Sequence, residues 1–213
     1  MTSAARKSRV TAVILAGGQG ARLGGKDKGL LVVAGKPLIA HVLQRILPQV
    51  STVVISANRH LDQYGRFEFP VVADQLREHQ GPLAGIASAL MHVHTDYLLI
   101  IPCDSPLLPI DLVDRLWTAM EDEEADMAVA HDGEQLQHLV ALIRREAAGS
   151  VDEFLEEGGR AVKDWAAKMF PAVAWFADQP LAFRNINSDA DVRDIEPHLK
   201  AGKPPSAPPA ASR

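Results

Sequence analysis

The chain lacks most of the features that would take it out of the ordinary globular class. It has a single cysteine, Cys103, in 213 residues, which excludes an intrachain disulfide and any metal cage built of cysteines alone. No apolar run approaches the ~18 residues that a membrane-spanning helix needs. Arg6, Lys7 and Arg9 precede an apolar stretch from Val10 to Ala16. That stretch is too short for a secretory leader and runs directly into glycines. His92 and His94 form the one close histidine pair, and residues two apart do not share a helix face, so no metal motif is present. There is no internal repeat. Hydrophobic residues at 47% and charged residues at 23% are ordinary for a folded domain and exclude a disordered, collagen-like or coiled-coil chain.

This length suits one domain, expected over 9–200. Residues 201–213 hold four prolines, four alanines and two serines, too little apolar bulk to fold, and are expected to be a disordered tail. The first eight residues are expected to be a second, solvated tail. The expected location is cytoplasmic, with no membrane contact.

Acidic residues are scarce in one place. The first 45 residues carry eight basic side chains against one acid, Asp27, in a chain of net charge -5. A basic segment in an otherwise acidic chain points to a local polyanion rather than to nucleic acid along the surface.

Apolar strands alternate with amphipathic helices. Strands are expected at Val10–Leu15, Val53–Ser56, Val71–Ala73, Tyr97–Ile101, Ala125–Ala130, Leu139–Arg144, Val173–Phe176 and Phe183–Ile186. Helices are expected at Pro37–Leu47, Pro82–Met91, Pro109–Met120, Val151–Glu157, Ala161–Lys168 and Ser188–Leu199. Such alternation argues an α/β fold, a three-layer α/β/α sandwich around a mainly parallel sheet. In such sheets ligands bind beyond the carboxyl ends of the strands.

The first strand opens into Ala16-Gly17-Gly18-Gln19-Gly20-Ala21-Arg22-Leu23-Gly24-Gly25-Lys26-Asp27-Lys28-Gly29. Five glycines in nine residues let the backbone approach a ligand closely and aim its N–H groups at phosphate oxygens. Arg22 supplies a forked contact and Lys28 a point charge. The loop matches neither standard phosphate motif. Counting from Gly18, a dinucleotide fingerprint would need glycine where Leu23 stands. A Walker loop over Gly20–Lys26 would need a hydroxyl where Asp27 stands, which puts a carboxylate facing the anion. The following Gly29–Val33 reads as extended, so no helix dipole would support the anion.

Other polar residues follow strands. Asp104 ends the apolar run Tyr97–Ile101 within Pro102-Cys103-Asp104-Ser105-Pro106. Its carboxylate suits Mg²⁺, which usually takes one or two carboxylates plus substrate phosphates, although a turn or cap aspartate would look the same. Cys103 reads as a small buried residue, with no histidine beside it to activate the thiol. Asn58 and Asp74 follow two further strands. Gly81 to Gly85 either presents N–H groups to an anion or simply starts a helix. Asn185 and Asn187 precede the last helix, where Asn187 suits an N-cap or a ligand contact.

Taken together, LAGGQGARLGGKDKGL, NRH, VVAD, GPLAG, PCDSPLLP and FRNIN resemble the molybdenum cofactor guanylyltransferases (molybdopterin guanine dinucleotide synthases) from about Val10 to His198. Cytidylyltransferases for the same cofactor tend to LAAG and GDMP-like segments, so Leu15-Ala16-Gly17-Gly18 and Pro102-Cys103-Asp104 favour guanine. The resemblance implies a Rossmann-like nucleotidyltransferase sheet. It also implies transfer of GMP from GTP to the terminal phosphate of molybdenum-loaded molybdopterin, with release of pyrophosphate. It places nucleotide binding on Leu15, Ala16, Gly17, Lys28, Asn58, Asp74 and Asp104; the glycine-rich segments themselves add Gly18, Gly81 and Gly85 as nucleotide-binding candidates, and Asp74 suits either ribose or base. Asp104 is implied as the Mg²⁺ ligand, and Asn185 and Asn187 as molybdopterin-binding; on the charge a phosphate transfer must neutralise, Arg22, Lys28 and Asp104 are the expected catalytic residues. Implied partners are GTP, the pterin, other cofactor-biosynthesis proteins and acceptor apoenzymes. One departure is visible: Gln137 is followed by His138, where the family often has proline. The alternatives are a nucleotidyltransferase with another phosphorylated acceptor, of cytidylyltransferase or sugar-phosphate type, and a non-enzymatic GTP-binding pterin carrier.

Overall fold

In the computed structural model, residues 1–16, 19–20, 26–74 and 81–201 are described. Seven strands form one sheet: β1 (Val10–Leu15), β2 (Thr52–Ser56), β3 (Val71–Val72), β4 (Tyr97–Pro102), β5 (Met127–His131), β6 (Leu136–Arg144) and β7 (Ala172–Trp175). Their spatial order is β7-β5-β6-β4-β1-β2-β3. Four neighbour pairings are parallel, and the two that involve β6 are antiparallel. The expected mainly parallel sheet is therefore present with one strand reversed.

Helices cover both faces because successive strand residues point to opposite sides. Ala12, Ile14, Val53, Ile55, Leu99 and Ile101 share a core with α2 (Leu38–Ile46) and α5 (Leu112–Asp122). Val13, Val54, Leu98 and Ile100 face α4 (Pro82–Leu90), α7 (Ser150–Glu156) and α8 (Val162–Lys168). Every residue of β4 is buried, which explains its unbroken apolar run. The chain also forms α1 (Ser3–Lys7), α3 (Leu61–Gly65), α6 (Arg145–Ala148) and α9 (Asp189–Ala201). Among the described residues no helix is long and apolar enough to cross a membrane.

Several expectations change. Residues 1–8, read as a tail, contain α1, and the arginines read as solvated have partners. Arg6 reaches Glu121 at 2.9 Å and Asp114 at 3.4 Å, with its guanidinium 5.8 Å from the Trp117 ring centroid. Arg9 pairs with Asp96 at 2.6 Å and lies over Tyr97 and Trp117. Acids and aromatic faces distant in sequence thus draw the segment onto α5 and the start of β4. The stretch expected as extended from Gly29 begins instead with a 3-10 turn, Lys28–Leu30; Val32–Val33 and Lys36–Pro37 then form a small hairpin. Phe183–Ile186 is not a strand. Its backbone closes local turns, with Arg184 N donating to Leu181 O, and Phe183 packs edge-on against Phe176. Residues 109–111 precede α5 rather than belonging to it. The expected C-terminal tail, apart from Ala201, lies outside the described residues.

Candidate active site

Parallel register brings the strand ends level. Leu15 of β1 pairs with Ser56 of β2 and with Pro102 of β4. Two backbone bonds continue the ladder past the strands: Ala16 N donates to Ser56 O at 2.8 Å, and Cys103 N donates to Leu15 O at 3.1 Å. Leu15, Ala16, Asn58, Asp74 and Asp104 therefore leave the sheet along one rim, the side where an α/β sheet binds ligands.

Lys28 is the node of this rim. Its Nζ donates to Asp104 Oδ2 at 3.1 Å and to Asn187 Oδ1 at 2.5 Å. Asp104 is nearly buried at 9% exposure, and its main-chain oxygen accepts from Ile186 N at 3.0 Å. Ser105 Oγ donates to Asn185 Oδ1 at 2.6 Å. Residues 185–187 are thus laid along Asp104 and Ser105. A small core of Val33, Leu38, Leu107, Ile186 and Ile195 pins them there. Asn187 is not the cap of α9. Ser188 Oγ takes that role by accepting from Asp191 N at 3.3 Å, which leaves the Asn187 side chain to Lys28.

Asn58 and Asp74 make a reciprocal pair. Asn58 Nδ2 donates to Asp74 Oδ2, and Asp74 N donates to Asn58 Oδ1, both at 2.8 Å. Partial burial pushes the Asp74 carboxyl pKa upward, and the Asn58 amide opposes that shift. Gly85 of α4 closes this corner. A Cβ there would lie 2.4 Å from Ser56 Oγ, 3.3 Å from Leu15 Cδ2 and 3.5 Å from Asp74 Oδ1. Gly81, just before α4, has φ 149°, a conformation that favours glycine. Gly85→Ala is expected to cost roughly 1–2 kcal/mol, the overpacking at Ser56 outweighing the helix propensity gained. Urea unfolding checks this, and an unchanged or higher midpoint would contradict it.

The structure thus gathers Leu15, Asn58, Asp74 and Gly85 at one corner, and Lys28, Asp104 and Asn187, with Asn185 alongside, at the next. Gly17, Gly18 and Arg22 lie outside the described residues. The aspartate that breaks the Walker pattern is turned inward: Asp27 is buried at 7% exposure and accepts from Tyr64 Oη at 2.5 Å and from Gly29 N at 3.1 Å. Tyr64 escaped the sequence reading. Its signal was a tyrosine on a short helix after the Asn58-Arg59-His60 strand end, which by itself says nothing of a contact 37 residues away. Cys103 is buried and unpaired in a disulfide, and burial above all pushes its thiol well up. It is a packing residue, not a nucleophile.

Among the described residues no group of three or more histidine, cysteine, aspartate or glutamate side chains could hold a metal. Two carboxylates lie at the rim: Asp74 is taken up by Asn58, and Asp104, beside Lys28, keeps 12% of its side-chain surface open. One carboxylate suffices for a Mg²⁺ that draws its remaining ligands from substrate phosphates and water, so the donor set fits an ion that arrives with a nucleotide.

A Rossmann-like sheet with its polar residues gathered at the strand ends around a lysine has the layout of a ligand-binding α/β protein, and the family match makes it a nucleotidyltransferase. Residues 12–171 match the MobA-like NTP transferase domain. A molybdenum cofactor guanylyltransferase of Shewanella putrefaciens is 50% identical over 84% of this chain and 92% of its own length. One from Shewanella amazonensis is 46% identical over 90% of this chain and 97% of its own length. The chain belongs to the molybdenum cofactor guanylyltransferase family. The fold is shared with molybdopterin-guanine dinucleotide biosynthesis protein A of Archaeoglobus fulgidus, at TM-score 0.72 and 23% identity over 90% of this chain and 99% of that one.

Proposed function

We propose that this chain transfers GMP from GTP to the terminal phosphate of molybdenum-loaded molybdopterin, forming molybdopterin guanine dinucleotide and pyrophosphate. The observation that carries the reading is Lys28, bound at once to Asp104 at a strand end and to Asn187 before the last helix. The first lies where a nucleotide is expected and the second where the pterin is expected. A single cation between them meets the charge of both reactants.

The reaction joins two anions, so positioning and charge neutralisation are the main work. A pterin phosphate oxygen attacks the α-phosphorus in line. The new O–P bond forms as the bond to the β-phosphate oxygen breaks, and pyrophosphate departs with that electron pair. The attacking phosphate is already ionised, so no strong general base is needed. Lys28 meets the charge at the α-phosphate. Arg22 and the glycine-loop amides hold the β- and γ-phosphates. Asn58 and Asp74 bind the nucleoside, and Asn185 and Asn187 orient the pterin. Nucleotidyltransferases generally use a divalent metal; here Asp104 would hold it, with Mg²⁺ the expected ion, and when bound it supplies charge neutralisation on phosphate oxygens.

Calorimetric titration with GTP, CTP, ATP and UTP, with Mg²⁺ and then with EDTA, tests the nucleotide half. GTP is expected to bind tightest and more tightly with Mg²⁺. A preference for CTP would keep the fold and overturn the substrate.

A further inference from the structure

We propose that Tyr64 and Asp27 are positioning residues of the transfer reaction: they fix the turn that aims Lys28, and they act through it. The inference rests on the guanylyltransferase reading above. A carboxylate next in sequence to the central cation of a polyanion site would repel the substrate if it faced outward. Here it is turned inward, and a buried carboxylate is costly unless hydrogen-bonded. Its Oδ1 accepts from Tyr64 Oη at 2.5 Å and from Gly29 N at 3.1 Å. The second bond spans Lys28 and caps the 3-10 turn Lys28–Leu30 at its N-terminus. The first ties that turn to α3, whose Tyr64 is fully buried.

Close packing makes the clamp rigid. A Cβ on Gly29 would lie 2.4 Å from Tyr64 Oη and 3.3 Å from Cys103 Sγ. Tyr64 therefore lies against the backbone that follows Lys28, and Cys103, next to Asp104 at the strand end, packs at the same point. Burial, the largest cause, pushes the phenol pKa up, so Tyr64 stays a donor. A lysine on a flexible four-carbon stem is aimed well only if its main chain is held. Asn187 and Asp104 hold the tip of Lys28, while Asp27 and Tyr64 hold its base. A carboxylate and a phenol are buried together here at a desolvation cost that apolar residues filling the same space would avoid.

A double-mutant cycle on the purified enzyme tests this, with pyrophosphate release from GTP and molybdopterin as the readout. Tyr64→Phe is expected to lower kcat roughly tenfold with the KM for GTP nearly unchanged, because a small misplacement of a charge costs rate more than binding. In a Lys28→Ala background the same substitution is expected to cost nothing further, since a residue that acts through another is silent once that other is gone. A purely structural tyrosine would cost the same in both backgrounds. Asp27→Ala is expected to match Tyr64→Phe, and Asp27→Asn, which keeps an acceptor oxygen, to retain most activity. Additive losses, or full kcat in Tyr64→Phe and Asp27→Ala, would overturn the inference alone. A wild-type enzyme that releases no pyrophosphate would overturn the reading beneath it as well.

Discussion

Lys28→Ala is expected to lower kcat for GMP transfer by ~10²–10³, the scale for losing one preorganised charge that acts on the transition state. Lys28 is held by two oxygens, from Asp104 and Asn187. It therefore need not reorganise when charge develops on the phosphates, and that is where such groups gain over mobile ones. Lys28→Arg is not a rescue. A planar fork differs from a compact ammonium in the geometry it bonds, and the acceptors are 3.1 and 2.5 Å away. Steady-state pyrophosphate release checks the prediction, with thermal unfolding as the control for folding. A folded Lys28→Ala enzyme within threefold of wild type would remove Lys28 from the chemistry.

Asp104→Asn is expected to make GTP binding with Mg²⁺ as weak as GTP binding in EDTA, and to cut turnover by ~10²–10³. The substitution is nearly isosteric, so the bonds from Ile186 N to the main-chain oxygen and from Ser105 to Asn185 should survive. The lost charge also unpairs Lys28. Calorimetry separates the two effects: loss of the metal position abolishes the Mg²⁺ dependence, whereas loss of the Lys28 pair alone leaves it. An unchanged difference between Mg²⁺ and EDTA would remove Asp104 as the metal ligand.

The placement of the candidate residues along one rim is legible in the sequence, because they follow apolar strands and strand ends converge in an α/β sheet. Asp104 after the run Tyr97–Ile101 and Asp74 after Val71–Val72 are cases where local pattern predicts location. The contacts that tie the site together were not legible. Asp27 to Tyr64 and Lys28 to Asn187 span 37 and 159 residues, and no local pattern encodes a pairing at that range. The reversal of β6 also has a local signal. Asp132-Gly133 between two apolar runs is a hairpin turn; Asp132 Oδ1 accepts from Glu134 N at 2.7 Å and from Gln135 N at 2.8 Å, and Gly133 has φ 107°. Arg6 and Arg9 differ from the expectation of a solvated tail for a different reason. A charge cluster near a terminus looks solvated unless its partners are known, and Glu121 and Asp96 lie about a hundred residues on.

The measurement closest to the central claim is product analysis of a single incubation. The purified protein would be mixed with molybdenum-loaded molybdopterin, Mg²⁺ and an equimolar mixture of GTP and CTP. The account predicts molybdopterin guanine dinucleotide as the main product, with one pyrophosphate released for each dinucleotide formed and no orthophosphate. Cytosine dinucleotide as the main product, or bound nucleotide without pyrophosphate, would contradict it.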